Sequence, residues 1–167
     1  VTGAGGSVCM AIEVPAKGHM AVATDPTGAV FGLWQPLEHR GFELIGAAGS
    51  PVWHQLTTRG YGAALDFYRD VLGWQTEPVS DTDEFRYSTA RFGDEELLGV
   101  MDGAALSEEI SPNWVIFFGA EDVDKTLRVI ADNGGAVVRD AEDTPYGRLA
   151  AASDPTGAIF NLSSLPT

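Results

Sequence analysis

Residues 147–162 read GRLAAASDPTGAIFNL, and residues 18–33 read GHMAVATDPTGAVFGL. In both stretches Asp-Pro-Thr-Gly separates two short apolar runs. Asp at the first turn position, Pro at the second and Gly at the end is the chemistry of a type I turn closed by a left-handed glycine, a three-residue β-hairpin loop. The match continues upstream without a gap, at a constant offset of 129 residues, placing Gly5-Gly6 on Gly134-Gly135 and Val8 on Val137. A second, weaker repeat with an offset of 62 places Leu65 on Leu127, Asp70 on Asp132, Gly73 on Gly135 and Arg86 on Arg148. It also places residues 92–95 on the turn 154–157.

Outward from the hairpins, each repeat reads as one unit. Residues 52–58 and 114–118 are short apolar runs that suit buried strands. After each comes a helical spacing: Ala64, Phe67, Tyr68 and Val71 at i, i+3, i+4 and i+7, then Val123, Thr126, Leu127 and Ile130 in the same pattern. Gly73 and Gly134-Gly135 end the helices, where a left-handed cap costs little, and Glu121 and Asp122 stand at the positive end of the second. Three strands follow, so the unit is βαβββ and the class is α+β. Residues 51–103 and 112–165 form two complete modules; residues 1–36 match only the C-terminal part of an incomplete one, with residues 1–4 as the last turn of its helix. Residues 37–50, rich in Gly and Ala, read as a linker. The expectation is a chain that is the C-terminal part of a longer protein, or one whose start is not included.

Composition narrows the function. Ten Lys and Arg against 24 Asp and Glu give a net charge of −14, which disfavours nucleic acid and anionic membranes, since both are held by basic groups. No apolar run reaches the ~18 residues of a membrane helix. Residues 1–9 lack the basic flank and apolar block of a secretory signal. The one cysteine, Cys9, permits neither a disulfide framework nor a multi-cysteine zinc site. A cytoplasmic protein is expected, with Cys9 buried in a strand like its counterpart Val138. No P-loop, dinucleotide fingerprint, nucleophile elbow or H-E-x-x-H spacing is present.

Paired βαβββ units, with DFYRDVLGW at residues 66–74 after the first strand and DPTG before the last, resemble the vicinal oxygen chelate superfamily of glyoxalases, bleomycin- and fosfomycin-resistance proteins and extradiol dioxygenases. The three partial or complete units resemble its tandem-domain members most. The resemblance implies curved mixed sheets with helices on the outer face, two modules curling into an open cup. Its metal enzymes set ligands on the first and last strands of each module. The first-strand histidine lies thirteen residues before the Asp of D-F-Y, which here is Trp53; its partner in the next module is Val115. The glutamate at the seventh residue beyond the Asp of DPTG is Asn161, and the 62 offset puts its equivalent at Gly99. Trp, Val and Gly offer no ligand and Asn only a weak oxygen, so neither a metal nor another cofactor is expected. His54 lies one residue from the ligand position, and one step along a strand reverses a side chain; it reads as a histidine packed beneath the helix. His19 and His39 read as solvated, and Arg86 and Arg148 as surface residues.

With this strand parity, Trp53, Gln55, Thr57, Gly99, Met101, Val115, Phe117, Asn161 and Ser163 face the cup. They either fill it as core or line a small-molecule site, apolar and aromatic with a few amides and hydroxyls. The reading taken forward is a protein that binds a small organic molecule, with Trp53, Gln55, Gly99, Met101, Val115, Phe117 and Asn161 as ligand contacts and no catalytic residue assigned. The alternative is a metal-dependent lyase or oxygenase-like enzyme with unusual ligands or a site N-terminal to this chain. A homodimer through an exposed sheet edge is a further expectation.

Overall fold

The computed structural model describes residues 1–92 and 95–165; the tip of the turn expected at 92–95 thus lies outside the described residues. A 3-10 turn at Thr2–Ala4 leads into β1 (Ser7–Val14), β2 (Gly18–Thr24) and β3 (Val30–Pro36). Next come β4 (Pro51–Thr58), α1 (Tyr61–Leu72), β5 (Gln75–Asp81), β6 (Arg86–Phe92) and β7 (Glu95–Asp102). The order then repeats as β8 (Asn113–Ala120), α2 (Val123–Asp132), β9 (Ala136–Thr144), β10 (Gly147–Ser153) and β11 (Ile159–Ser164). This is the α+β class and the βαβββ order read from the repeats.

The chain divides into two compact units. The first comprises Val1–Glu43 and Gln55–Trp114. It contains the antiparallel sheet β1-β2-β3 and strands in the order β5-β6-β7-β4. The buried face of α1 is formed by Tyr61, Ala64, Phe67 and Tyr68, as its spacing dictates, and the helix ends at Gly73 in the left-handed conformation. That face packs with Leu56, Trp74, Ala90 and Val100, and also with Ala29 beside β3. Tyr68 is the hub. Its ring stacks on Trp74 at 4.4 Å and meets Phe31, Phe67 and Trp114 edge-on. Its hydroxyl donates to Asp25 Oδ2 at 3.1 Å and accepts from Trp114 Nε1 at 3.1 Å. Burial pushes the Tyr68 phenol well above its ordinary pKa, so it stays a neutral donor.

The second unit comprises Leu44–His54 and Val115–Thr167, with strand order β8-β11-β10-β9. β8 and β11 are parallel and the other pairs antiparallel, so this sheet is mixed. Asp122 caps α2, accepting from the Lys125 N–H at 2.8 Å, which satisfies one of the helix's orphan donors and contributes about 1 kcal/mol. Val123 and Leu127 are buried against Ala120, Ala150, Ala152 and Leu162. Arg148 ties β10 to α2 through Asp124 and also reaches Asp143; its hydrogen bonds hold the Asp124 carboxyl below the usual range.

The two DPTG loops are built alike. Asp25 Oδ1 accepts from the Thr27 N–H, the Thr27 hydroxyl and the Ala29 N–H, and Asp154 makes the same bonds with Thr156 and Ala158. Gly28 and Gly157 take φ of 98° and 93°, a conformation that disfavours any side chain. Their surroundings differ: Asp25 is buried and bonded to Tyr68, whereas Asp154 is only half-buried. One expectation is corrected. Cys9 is exposed, because β1 is the outer strand of its sheet and residues of both faces from Ser7 to Glu13 are exposed.

Tyr68→Phe keeps the ring and removes the hydroxyl, leaving Asp25 Oδ2 and the Trp114 N–H without this partner. A loss of about 1–3 kcal/mol is expected in urea unfolding, with the m-value unchanged. An unchanged midpoint would contradict the role given to the hydroxyl.

Candidate small-molecule site

Strand alternation sorts each sheet into a helix side and a free side. In the first unit, Leu56, Ala90 and Val100 pack in the core with α1. Gln55, Thr57, Tyr87, Thr89, Gly99 and Met101 therefore lie on the opposite face. The register pairs Tyr87 with Met101 and Thr89 with Gly99. The Gln55 amide donates to Thr57 Oγ1 at 3.3 Å and to the Met101 sulfur at 3.7 Å, which fixes its orientation. Thr89 is 5% exposed, and its buried hydroxyl has no hydrogen-bond partner among the described residues. A Cβ at position 99 would run into the Tyr87 hydroxyl and ring. The phenol lies across this glycine, with its ring stacked on Phe85 at 5.9 Å and 14°.

In the second unit, Phe118, Ala150, Ala152, Phe160 and Leu162 pack with α2. The alternate residues Val115, Phe117, Asn161 and Ser163 take the other face, with Asn161 registered on Phe117. Phe117 is buried; Val115 and Asn161 are half-buried. Trp53, also half-buried, lies on the part of β4 that belongs to this unit. The seven residues named from the sequence thus fall into two sets: Gln55, Gly99 and Met101 in the first unit, and Trp53, Val115, Phe117 and Asn161 in the second.

The side chains at the family's ligand positions do not fit a transition metal. Trp53, Val115 and Gly99 supply no donor, the space above Gly99 holds the Tyr87 phenol, and Asn161 stands alone. Among the described residues no three His, Cys, Asp or Glu side chains converge. His54 shares the face of Leu56 by alternation, and burial lowers its imidazole pKa below 6.5.

Sequence reasoning missed two features. Tyr87 and Thr89 lie on β6, one strand away from the positions carried over; the 62 offset sets them on Leu149 and Ala151, and the parity already used would have marked them. The second is a concavity of about 500 Å³ on the β1-β2-β3 sheet. Glu13, His19, Met20, Leu33, Trp34 and Gln35 contribute to its lining. The 129 offset places Gly32 of this sheet on Asn161, so the repeat could have pointed there.

Residues 50–162 match the model of the glyoxalase/bleomycin resistance protein/dioxygenase superfamily, and the chain belongs to that family. It is 36% identical over 160 residues to the putative glyoxylase CFP32 of Mycobacterium tuberculosis, covering 95% of this chain and 60% of the relative. It is 37% identical over 166 residues to the anthracycline biosynthesis protein DnrV of Streptomyces peucetius, covering 97% of this chain and 58% of that protein. The chain therefore spans about three-fifths of the length of these curated relatives. Among solved structures, a methylmalonyl-CoA epimerase of Streptomyces coelicolor in complex with 2-nitronate-propionyl-CoA superposes with a TM-score of 0.55 at 19% identity, over 72% of this chain and all of that one. At this identity the likeness concerns the fold.

Two outcomes follow from this geometry. The folded protein disfavours the charged form of His54, so its contribution is intact above pH 6.5 and is lost as pH falls through that value towards the lowered folded one. Its ring resonances should titrate below pH 6.5 by NMR; a midpoint above 6.5 would contradict this environment. Gly99→Ala should cost about 1–3 kcal/mol, as overpacking does, and much less in a Tyr87→Ala background. Equal costs in the two backgrounds would show that the phenol does not occupy the space above Gly99.

Proposed function

We propose that this chain binds a small, uncharged or cationic organic molecule on its helix-free sheet faces, without a metal ion. The observation that carries the reading is the side-chain chemistry around position 99. Position 99 is a glycine covered by the Tyr87 phenol, and around it stand an oriented amide, hydroxyls and a thioether. Apolar burial would drive binding: a ligand losing ~200 Å² of apolar surface gains roughly 5 kcal/mol before costs, a Kd of only a few hundred micromolar. On the face of the first unit the Gln55 amide then adds orientation and selectivity. The net charge of −14 disfavours anions by long-range repulsion. The name of the relative from anthracycline biosynthesis agrees with an organic ligand of some size.

The test is a thermal-shift screen of a metabolite library in EDTA, with each hit then titrated by tryptophan fluorescence. The same Kd is expected in EDTA and in added zinc, nickel or manganese, and Gln55→Ala should weaken binding about tenfold, the effect of one oriented hydrogen bond. Binding that appears only with metal, or no binding in either condition, would contradict the proposal.

A further inference from the structure

The β1-β2-β3 sheet leaves part of one face open. The register sets Ala11, Ala21 and Leu33 in one row across the three strands, and Glu13, His19 and Gln35 in a second row on the same face. Both rows line the concavity of about 500 Å³. The row between them, Ile12, Met20 and Trp34, points to the other face by alternation. Further along the same face Ala23 is fully buried, and Phe31 meets Phe67 of α1 edge-on at 5.9 Å. Ala21 and Leu33 are only half-buried, and Ala11, Glu13, His19 and Gln35 are exposed. The second unit shows what such a face carries. At the 129 offset Ala21, Ala23, Phe31 and Leu33 correspond to Ala150, Ala152, Phe160 and Leu162, which pack with Val123 and Leu127 of α2. His19 corresponds to Arg148, which pairs with Asp124 in the first turn of α2 at 2.7 Å. The end of α2 has its counterpart too. Gly5 and Gly134 take φ of 88° and 86°, Pro26 lies against Gly5 as Pro155 lies against Gly134, and the carbonyls of Thr24 and Ser153 abut Gly6 and Gly135. The Thr2–Ala4 turn thus ends as α2 ends.

We infer that this groove is the seat of an amphipathic α-helix of the same polypeptide, which runs into the Thr2–Ala4 turn from its N-terminal side and lays an apolar i, i+4 pair over Ala21 and Leu33. Four constraints select this occupant. The turn it enters is built as a helix terminus, closed by a left-handed glycine, so the element leading into it is a helix rather than a strand. Ala11 and Ala21 are small, which leaves room for larger apolar side chains from an amphipathic stripe, and their burial is favourable. His19 stands where Arg148 stands, with an imidazole N–H to offer. An acidic residue in the first turn of the helix meets it there, as Asp124 meets Arg148, and complements the positive end of the helix. Among the described residues a second copy has no helix to lend, because α1 and α2 already spend their apolar faces on their own sheets. The inference is independent of the small-molecule reading, which concerns the helix-free faces.

The sequence of residues 121–129, EDVDKTLRV, is the probe. It is grafted directly ahead of Val1, so that the grafted copy meets Val1 as the original meets Ile130. The graft should raise the melting temperature by about 4 °C or more, since two apolar side chains leave water. It should also shift the methyl resonances of Ala21 and Leu33 and the ring resonances of His19, with those of Leu162 in the second unit unmoved. Val123→Asp together with Leu127→Asp, made in the grafted copy alone, should remove the gain. Ala21→Phe fills the groove: it should leave the ungrafted chain within about 1 °C of its melting temperature and cancel most of the gain in the grafted one. No gain, a gain that survives the two aspartates, or Ala21 and Leu33 methyls unmoved by the graft would overturn the inference. Methyl shifts that grow with the concentration of the ungrafted chain would assign the groove to a second copy, and shifts caused by a hit from the metabolite screen would assign it to a small ligand; either would overturn it as well.

Discussion

Tyr68 joins three parts of the first unit through one side chain. Its ring lies against Trp74 and Phe67, which belong to its own module, and against Phe31 of the preceding β1–β3 sheet. Its hydroxyl bridges the Asp25 carboxylate and the Trp114 indole. The bridge requires that Asp25 already be oriented, and the DPTG loop orients it by binding Oδ1 to three groups while leaving Oδ2 to Tyr68. A local turn motif is thereby converted into a tertiary contact. The equivalent turn at Asp154 has the same internal bonds and no tyrosine bonded to it among the described residues, and its carboxylate is only half-buried. The same four residues serve as a buried latch in one copy and a plain hairpin in the other.

Fixing α1 in this way fixes which face of the β4, β6 and β7 strands is consumed by the core. Leu56, Ala90 and Val100 are committed to the helix, and the alternate residues take the opposite face. α2 imposes the same division through Ala150, Ala152 and Leu162. The division also explains why one glycine matters. Position 99 is on the free side, where a side chain is tolerated by the backbone but not by Tyr87. The space over it is used by an aromatic ring.

What the sequence made legible was local or periodic. The DPTG loops, the helix spacing from Ala64 to Val71 and the βαβββ order rest on interactions within a few residues or on a repeat, and both survive translation into structure. The burial of Cys9 did not follow, because it depends on which strand is outermost and on what covers that strand, neither of which is written in residue type. The Tyr68–Asp25 bond spans 43 residues, and its only sequence trace was an aromatic at a helix position that any core would want. Tyr87 acts through a diagonal contact across the β6–β7 register, so an inspection confined to first and last strands passed it over. The seven residues chosen by parity lie on helix-free faces, but parity alone does not distinguish a residue that contacts a ligand from one that packs in a core.

The central claim is that recognition here proceeds without a metal at the positions where the family's enzymes place one. Elemental mass spectrometry tests it most directly, on protein purified without a histidine tag or chelator and again after incubation with zinc, nickel, iron and manganese followed by desalting. The account predicts that no metal approaches one equivalent in either sample. Near-stoichiometric metal in either would contradict it and would make His54 the first residue to replace.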